Sequence, residues 1–355
     1  MAGNEVFMST GTSPAVTIIM PAYNAAAYIE KSVQSVLGQT MQDFELIIVN
    51  DGSTDNTAAV LADLAEKDSR IRPLNIENSG PAMARNYALD RISCPGGYIA
   101  FIDSDDELLP DALEYALSAA ESDADIIIHG FTIVNPDGSQ RDYFEPENEL
   151  MLSDMGQAFA PLYKANLLNQ VWGKLYRSEL ILKNSIRFQD YRWGEDRLFV
   201  FDCLEHAEKL IVLPECKYRY IMHKGESLIS RFYGKKAEVC LQIDRRVQTL
   251  CKKFGTGDES WFRYMFAKSI FSCFTNLFSP SCKLSRSEKL EYIRQILAGG
   301  YVAQRCKNAA GGFAVKFLCA VVRSGSAELN LFVFRLVALA GQLTPKLFMA
   351  LKHKK

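Results

Sequence analysis

Residues 98–106 read Tyr98-Ile99-Ala100-Phe101-Ile102-Asp103-Ser104-Asp105-Asp106, an unbroken apolar run that ends in three carboxylates within four residues. Such a run predicts a short strand buried on both faces, as in a sheet covered by helices. The same pattern stands upstream at 16–20 (VTIIM) and 46–50 (LIIVN). Between these two, Ile29, Val33, Val36 and Leu37 share one helical face, which predicts a helix ending near Gln39. After the second, Ser53, Thr54 and Asp55 offer capping side chains ahead of a helical run over 58–67. Strand, helix, strand, helix predicts a mostly parallel α/β sheet with right-handed crossovers.

Residues 126–134, the Asn135-Pro136-Asp137-Gly138 turn and the stretch to Phe144 predict an added hairpin. Beyond about Ser230 the period becomes helical: Cys240, Ile243, Val247, Leu250 and Cys251 share a face, as do Phe262, Phe266, Ile270, Cys273, Phe274 and Leu277. The expected organisation is a frayed, polar 1–14, an α/β body over 15–230 and a helical region over 231–355. With 355 residues, 48% of them hydrophobic, the chain has material for two cores, which excludes a disordered or disulfide-stapled class. Its nine cysteines form no C-x-x-C pair, and 1–14 does not read as a signal peptide; reduced thiols in the cytoplasm are expected.

Charge is unevenly spread. Residues 301–355 carry nine Lys/Arg against Glu328 alone, a net +8 in a chain whose total is −2. The body is therefore acidic, which disfavours nucleic acid as a partner. From Leu329 to Leu343 only Asn330, Arg335 and Gln342 interrupt apolar character, and Pro345 separates a last segment ending Lys352-His353-Lys354-Lys355. That stretch is shorter than the roughly 20 residues a spanning helix needs. The expectation is an amphipathic end over 312–355 lying in the plane of an anionic membrane, on the inner face of the cell membrane. Packing on the protein's own core, or on a second subunit in a homodimer, is the alternative.

Neither G-x-G-x-x-G nor G-x-x-x-x-G-K-S/T occurs, which argues against nicotinamide and P-loop chemistry. Ligands of open α/β sheets bind beyond the carboxyl ends of the strands, where Tyr23 and Asp51 fall. Asp51 can accept from a base or ribose while Gly52 lets the backbone turn; a plain turn and helix cap is the other reading. Asp103, Asp105 and Asp106 repel one another unless a divalent cation offsets them, or unless one caps a helix over 110–120. Glu195-Asp196 beside Trp193 can supply a general base, or simply occupy the favourable first turn of a helix over 197–203. Trp172 can stack on a sugar ring or fill the core. His223 can reach a metal or a diphosphate, whereas His129 reads as core, and His206 and His353 as surface.

In order and spacing, VTIIMPAYN (16–24), FELIIVNDGSTDNT (44–57), ENSGPAMARN (77–86), YIAFIDSDD (98–106), WGKLY (172–176) and GEDRLF (194–199) resemble family 2 of the inverting glycosyltransferases, which have the GT-A fold. The resemblance implies that Pro21, Ala22, Tyr23 and Asp51 hold the nucleoside of a nucleotide-sugar donor, a UDP-sugar, with Tyr23 on the base. Asn78 and Arg85 would lie near its ribose, diphosphate or sugar. Asp103 and Asp105, with Ser104 between them, would form the D-x-D element, with Asp105 binding Mg2+ or Mn2+ and His223 as a further ligand. Asp196 would be the base, with Glu195 and Trp172 on the side of a saccharide acceptor, free or lipid-linked, in cell-surface polysaccharide synthesis. Asn50 stands where the family commonly has Asp, and Pro81 where a small residue is usual. A sugar nucleotidyltransferase would want a basic, glycine-rich loop after the first strand, and a silent binding protein would have no use for metal site and base together.

Overall fold

The computed structural model describes residues 14–92, 96–119, 123–144, 148–151, 155–223, 231–257 and 259–343. It forms two compact units, Met1–His223 and Lys224–Lys355. The expected fraying of 1–14, apart from Pro14, and the basic segment after Leu343, with His353, lie outside the described residues.

The first unit holds one sheet built from β1 (Val16–Ala22), β2 (Phe44–Asp51), β3 (Ile71–Ile76), β4 (Tyr98–Phe101), β5 (Glu107–Leu108), β6 (Ile126–Val134), β7 (Gln140–Tyr143), β8 (Asn148–Met151), β9 (Lys174–Arg177) and β10 (Lys209–Ile221). Their order is β3-β2-β1-β4-β9-β6-β10-β5, with β7 on β6 and β8 on β10. β3, β2, β1 and β4 are mutually parallel, and every residue of β1 is buried, as a strand covered on both faces requires. The helices are α1 (Ile29–Leu37), α2 (Thr57–Lys67), α3 (Pro81–Leu89), α4 (Ala112–Ser118), α5 (Met155–Lys164), α6 (Ser178–Lys183) and α7 (Glu195–His206).

Register aligns the carboxyl ends that matter. Ala22 pairs with Asn50, and Ile19 with Phe101, so the loops after β1, β2 and β4 leave the sheet side by side. The hairpin over 126–144 forms as β6 and β7. The WGKLY stretch, from which no strand was predicted, contains β9, which runs antiparallel between β4 and β6. Four residues are too short for a period to show, so only pairing on both sides reveals this strand.

Two capping expectations are corrected. Asp105 and Asp106 do not cap the helix that follows: α4 begins at Ala112 behind Asp111, and Asp106 is fully buried elsewhere. Ser53–Asp55 mostly bind another loop rather than α2. Ser53 Oγ accepts from Asn24 N–H (3.0 Å), Asn24 Oδ1 accepts from Thr54 N–H (2.8 Å), and Asp55 divides its oxygens between Ala26 N–H (3.2 Å) and Thr57 N–H (3.0 Å). Polar side chains after β2 thus clamp the loop after β1.

The second unit is helical: α8 (Lys236–Phe254), α9 (Glu259–Asn276), α10 (Arg286–Leu297), α11 (Tyr301–Arg305), α12 (Phe313–Arg323) and α13 (Ala327–Leu343). The predicted apolar faces of α8 and α9 are buried, apart from the half-buried Cys251. A buried ion pair joins Arg305 to Asp244 at 2.7 and 2.8 Å, with Tyr301 donating to the same carboxylate at 2.6 Å. On α13, Phe334 packs against Phe271 and Phe274, while Leu329, Phe332, Leu336 and Leu339 stay exposed. One face of α13 therefore joins the unit's own core and the other does not. Among the described residues no helix is long and apolar enough to cross a membrane.

Candidate active site

The loops beyond β1, β2 and β4 gather Tyr23, Asp51 and the 103–106 aspartates at one edge of the sheet. Pro21 and Ala22 end β1 and are buried, whereas Tyr23 is half exposed, a ring free to stack. Asp51 is buried, and its carboxylate accepts from Ser79 N–H (2.7 Å) and Gly80 N–H (2.8 Å) ahead of α3. Asn78 Nδ2 donates to the Asp51 carbonyl at 3.1 Å. Gly52 has φ of +66°, and a Cβ there would meet the Asn78 nitrogen at 2.6 Å, so this approach requires glycine. The loops of Asp51 and Asn78 hold one another in place.

α3 supplies the central cation. Arg85 is 3% exposed; its Nη2 donates to Asp103 Oδ1 at 2.7 Å and its Nη1 to Asp196 Oδ1 at 3.1 Å. Burial pulls against its charge, but Asp196 and Asp103 outweigh that and raise its pKa above the usual arginine range. Next to it, Asn86 exchanges two hydrogen bonds with the backbone of Phe188, at 2.8 and 2.9 Å, and Phe188 stacks on Phe199 of α7 at 4.0 Å. Adjacent residues on α3 therefore fix both the guanidinium and the helix that carries Asp196.

The three clustered aspartates have three different fates. Asp103 is paired with Arg85. Asp106 accepts from Tyr218 Oη–H (2.6 Å) and Ile221 N–H (2.8 Å), while Tyr218 Oη accepts from Asp103 N–H (3.2 Å). Burial, then Asp103 and Asp105, push Asp106 well above the usual carboxylate range. Asp105 is the aspartate left open, 42% exposed, with Oδ2 at 3.3 Å from His223 Nε2. Burial of part of the carboxyl, with the nearby Asp103, raises its pKa. His223 also lies against Tyr28, ring centroids 4.2 Å apart. Ser104 contributes its carbonyl to Ser32 Oγ–H at 2.9 Å. The mutual repulsion foreseen from sequence is thus relieved by Arg85 and Tyr218 as well as by any cation.

Among the described residues no group of three or more His, Cys, Asp or Glu side chains could hold a metal alone. Asp105 and His223 fit a divalent cation whose remaining ligands come from substrate phosphates and water, the usual habit of Mg2+ and of Mn2+ at mixed O/N sites.

Glu195 and Asp196 occupy the first turn of a helix. The pair opens α7 behind Gly194, which has φ of +83°, so the helix dipole favours the charges. Asp196 also accepts from the Val171 N–H; burial raises its pKa, and Arg85 opposes that rise. Glu195 is buried, and burial followed by the neighbouring Asp196 lifts its carboxyl to about 7. Trp172 is a core ring here: it is 6% exposed, stacked on Tyr218 at 4.3 Å and on Tyr220 at 5.6 Å. An exposed stacking surface for an acceptor is not what the ring offers; its place is behind the tyrosine that pins Asp106. His129 is buried, its Nδ1 at 2.9 Å from the Gly130 carbonyl, and burial lowers its pKa to about 4.

Two contributors were not found from sequence. Tyr218 sits on β10, a strand the periodicity did not predict. Lys174, on β9, is buried and donates to the carbonyls of Gln170 (2.7 Å) and Trp172 (3.2 Å), and burial lowers its pKa to about 7. A lysine between apolar neighbours was the available signal.

The sequence profile of Glycosyl transferase family 2 matches residues 17–181. An uncharacterized glycosyltransferase of Haemophilus influenzae is 31% identical over 201 residues, 56% of this chain and 75% of that protein. This chain belongs to glycosyl transferase family 2. The putative teichuronic acid biosynthesis glycosyltransferase TuaG of Bacillus subtilis is 42% identical over 137 residues, 38% of this chain and 54% of that protein. The matches span between about half and two-thirds of the length of the Bacillus subtilis relatives. In three dimensions, Staphylococcus aureus TarS 1–349 in complex with UDP-GlcNAc superposes with a TM-score of 0.66 at 22% identity, over 92% of each chain. The mostly parallel sheet with flanking helices is accordingly the GT-A fold predicted from the motifs.

Proposed function

We propose that this chain moves a sugar from a nucleotide donor, a UDP-sugar, to a saccharide hydroxyl with inversion at the anomeric carbon. The observation that carries this reading is the Arg85 bridge, which holds a donor-side carboxylate, Asp103, and a candidate base, Asp196, on one guanidinium. Tyr23 offers its ring to the base, and the Asp51–Asn78 loop pair shapes the nucleoside's seat. Asp196 takes the acceptor hydroxyl proton as the new oxygen–carbon bond forms. The bond from the anomeric carbon to the diphosphate oxygen breaks in the same displacement, and its electrons leave with the nucleoside diphosphate. A double displacement would need a second carboxylate placed as nucleophile, and Glu195, buried and protonated up to about pH 7, is poorly suited to that role. When bound at Asp105 and His223, Mg2+ or Mn2+ supplies positive charge that stabilises the leaving diphosphate.

The UDP-GlcNAc in the TarS complex supports a uridine donor, and the name of TuaG supports a place in cell-surface polysaccharide synthesis. Residues 15–230 would carry the chemistry, and 231–355 contact with the inner face of the cell membrane, where a lipid-linked acceptor would be met. Thermal shift with a panel of sugar nucleotides, with and without Mn2+, tests the reading, because a ligand that binds only the folded chain raises its stability. Asp105→Ala is expected to abolish metal-dependent donor stabilisation. Asp196→Asn should keep that stabilisation and end transfer; the opposite pattern would exchange their roles.

A further inference from the structure

The second unit has a groove of about 480 Å³ between α10 and α13. Arg286 and Lys289, in the first turn of α10, and Arg335, on α13, line it together with Leu331 and Phe332. Its one acid, Glu328, is paired with Arg294 at 3.2 Å. Among the described residues no carboxylate makes a salt-bridge contact with Arg286, Lys289 or Arg335, although Glu328 also attracts Arg286 at longer range, and Lys289 Nζ rests over the Phe278 ring at 5.3 Å. Three cations gathered at an apolar-walled groove repel one another and are offset best by an anion. Phe332, 62% exposed, belongs both to the groove wall and to the open stripe Leu329, Phe332, Leu336 and Leu339. At 100° per residue these four positions fall within about a quarter-turn of one another, with Arg335 beside them. On α12, Phe313 is 87% exposed and Phe317 is exposed too. Open apolar residues beside cations that outnumber the acid are the chemistry of a surface that meets phosphate and hydrocarbon at once.

We propose that this groove seats the phosphate of an anionic membrane lipid, with Arg286, Lys289 and Arg335 around the headgroup and Phe332, Leu336 and Leu339 entering the bilayer surface. This deepens the membrane part of the proposed function and does not depend on sugar transfer. The basic end of the chain adds long-range attraction, whereas the groove adds a defined seat.

The test is vesicle co-sedimentation of the full chain with phosphatidylcholine alone and with phosphatidylcholine containing phosphatidylglycerol. Each cation at an anionic surface strengthens binding about fivefold, so the triple change Arg286→Gln, Lys289→Gln, Arg335→Gln should weaken phosphatidylglycerol-dependent binding about a hundredfold. Phe332→Ser should weaken binding to both vesicle types. Lys352→Gln, Lys354→Gln and Lys355→Gln together should leave the preference for phosphatidylglycerol in place. Unchanged binding by the groove variant, or its loss only in the tail variant, overturns the proposal. So does displacement from vesicles by millimolar inorganic phosphate at constant ionic strength, which would mark a seat for soluble phosphate, or a concentration-dependent dimer that Phe332→Ser abolishes, which would mark a second copy. Donor-dependent thermal shift on the same variants reports folding, and its absence in the unaltered protein would count against sugar transfer while leaving the vesicle result standing.

Discussion

Arg85 on α3 and Asp196 on α7, 111 positions apart in the chain, meet at 3.1 Å, and the same guanidinium reaches Asp103 at 2.7 Å. The fork geometry of arginine allows one buried cation to orient two carboxylates at once. Arg85→Met removes the charge and strands both. Breaking such a pair from one side costs about 3 kcal/mol. Because Arg85 opposes the rise in Asp196's pKa, the acid limb of the transfer rate should also move to higher pH. Urea unfolding and a pH–rate profile check the two expectations; a limb that stays in place would show that Arg85 does not govern the base.

Glu195 makes stability itself depend on pH. Its carboxyl stands at about 7 in the folded chain against 4.5 ordinarily, with burial as the main cause. Raised in this way, it contributes stability in full below pH 4.5, and the contribution is lost as pH climbs through 7. Glu195→Gln should therefore be about neutral at pH 4 and stabilising by up to about 3 kcal/mol at pH 8. Denaturant titrations at the two pH values decide the matter, and an equal effect at both would refute the assignment.

Tyr218→Phe tests the pin beneath the acidic loop. It leaves Asp106 Oδ2 and the Asp103 N–H without their shared hydroxyl. Each buried polar group left unpaired costs about 1–3 kcal/mol. The 103–106 loop should then hold Asp105 less firmly. Isothermal titration with Mn2+ and a UDP-sugar should report weaker binding; full affinity together with full stability would remove Tyr218 from the account.

Lys174 acts one layer further out. Its two carbonyl acceptors flank Val171, whose N–H reaches Asp196. Lys174→Met should slow transfer about tenfold, equivalent to about 1.4 kcal/mol, by loosening that turn. Donor affinity should stay intact. A change in KM for the donor with kcat unaffected would be the contrary result.

What the chain's order of residues determined is the local part. Apolar runs at 16–20, 46–50 and 98–102 are long enough to specify buried strands, and the polar residues after them had to stand at strand ends. The helical faces of α8 and α9 were legible for the same reason, since periodicity is a property of neighbours along the chain. Tertiary structure alone decided the division of labour among Asp103, Asp105 and Asp106, because that depends on Arg85 and Tyr218, residues brought from other elements. It also decided that Trp172 stacks inward on Tyr218 and that β9 inserts antiparallel between β4 and β6. Charge and hydrogen bonding act through space over a few ångströms, and sequence separation carries no measure of that distance.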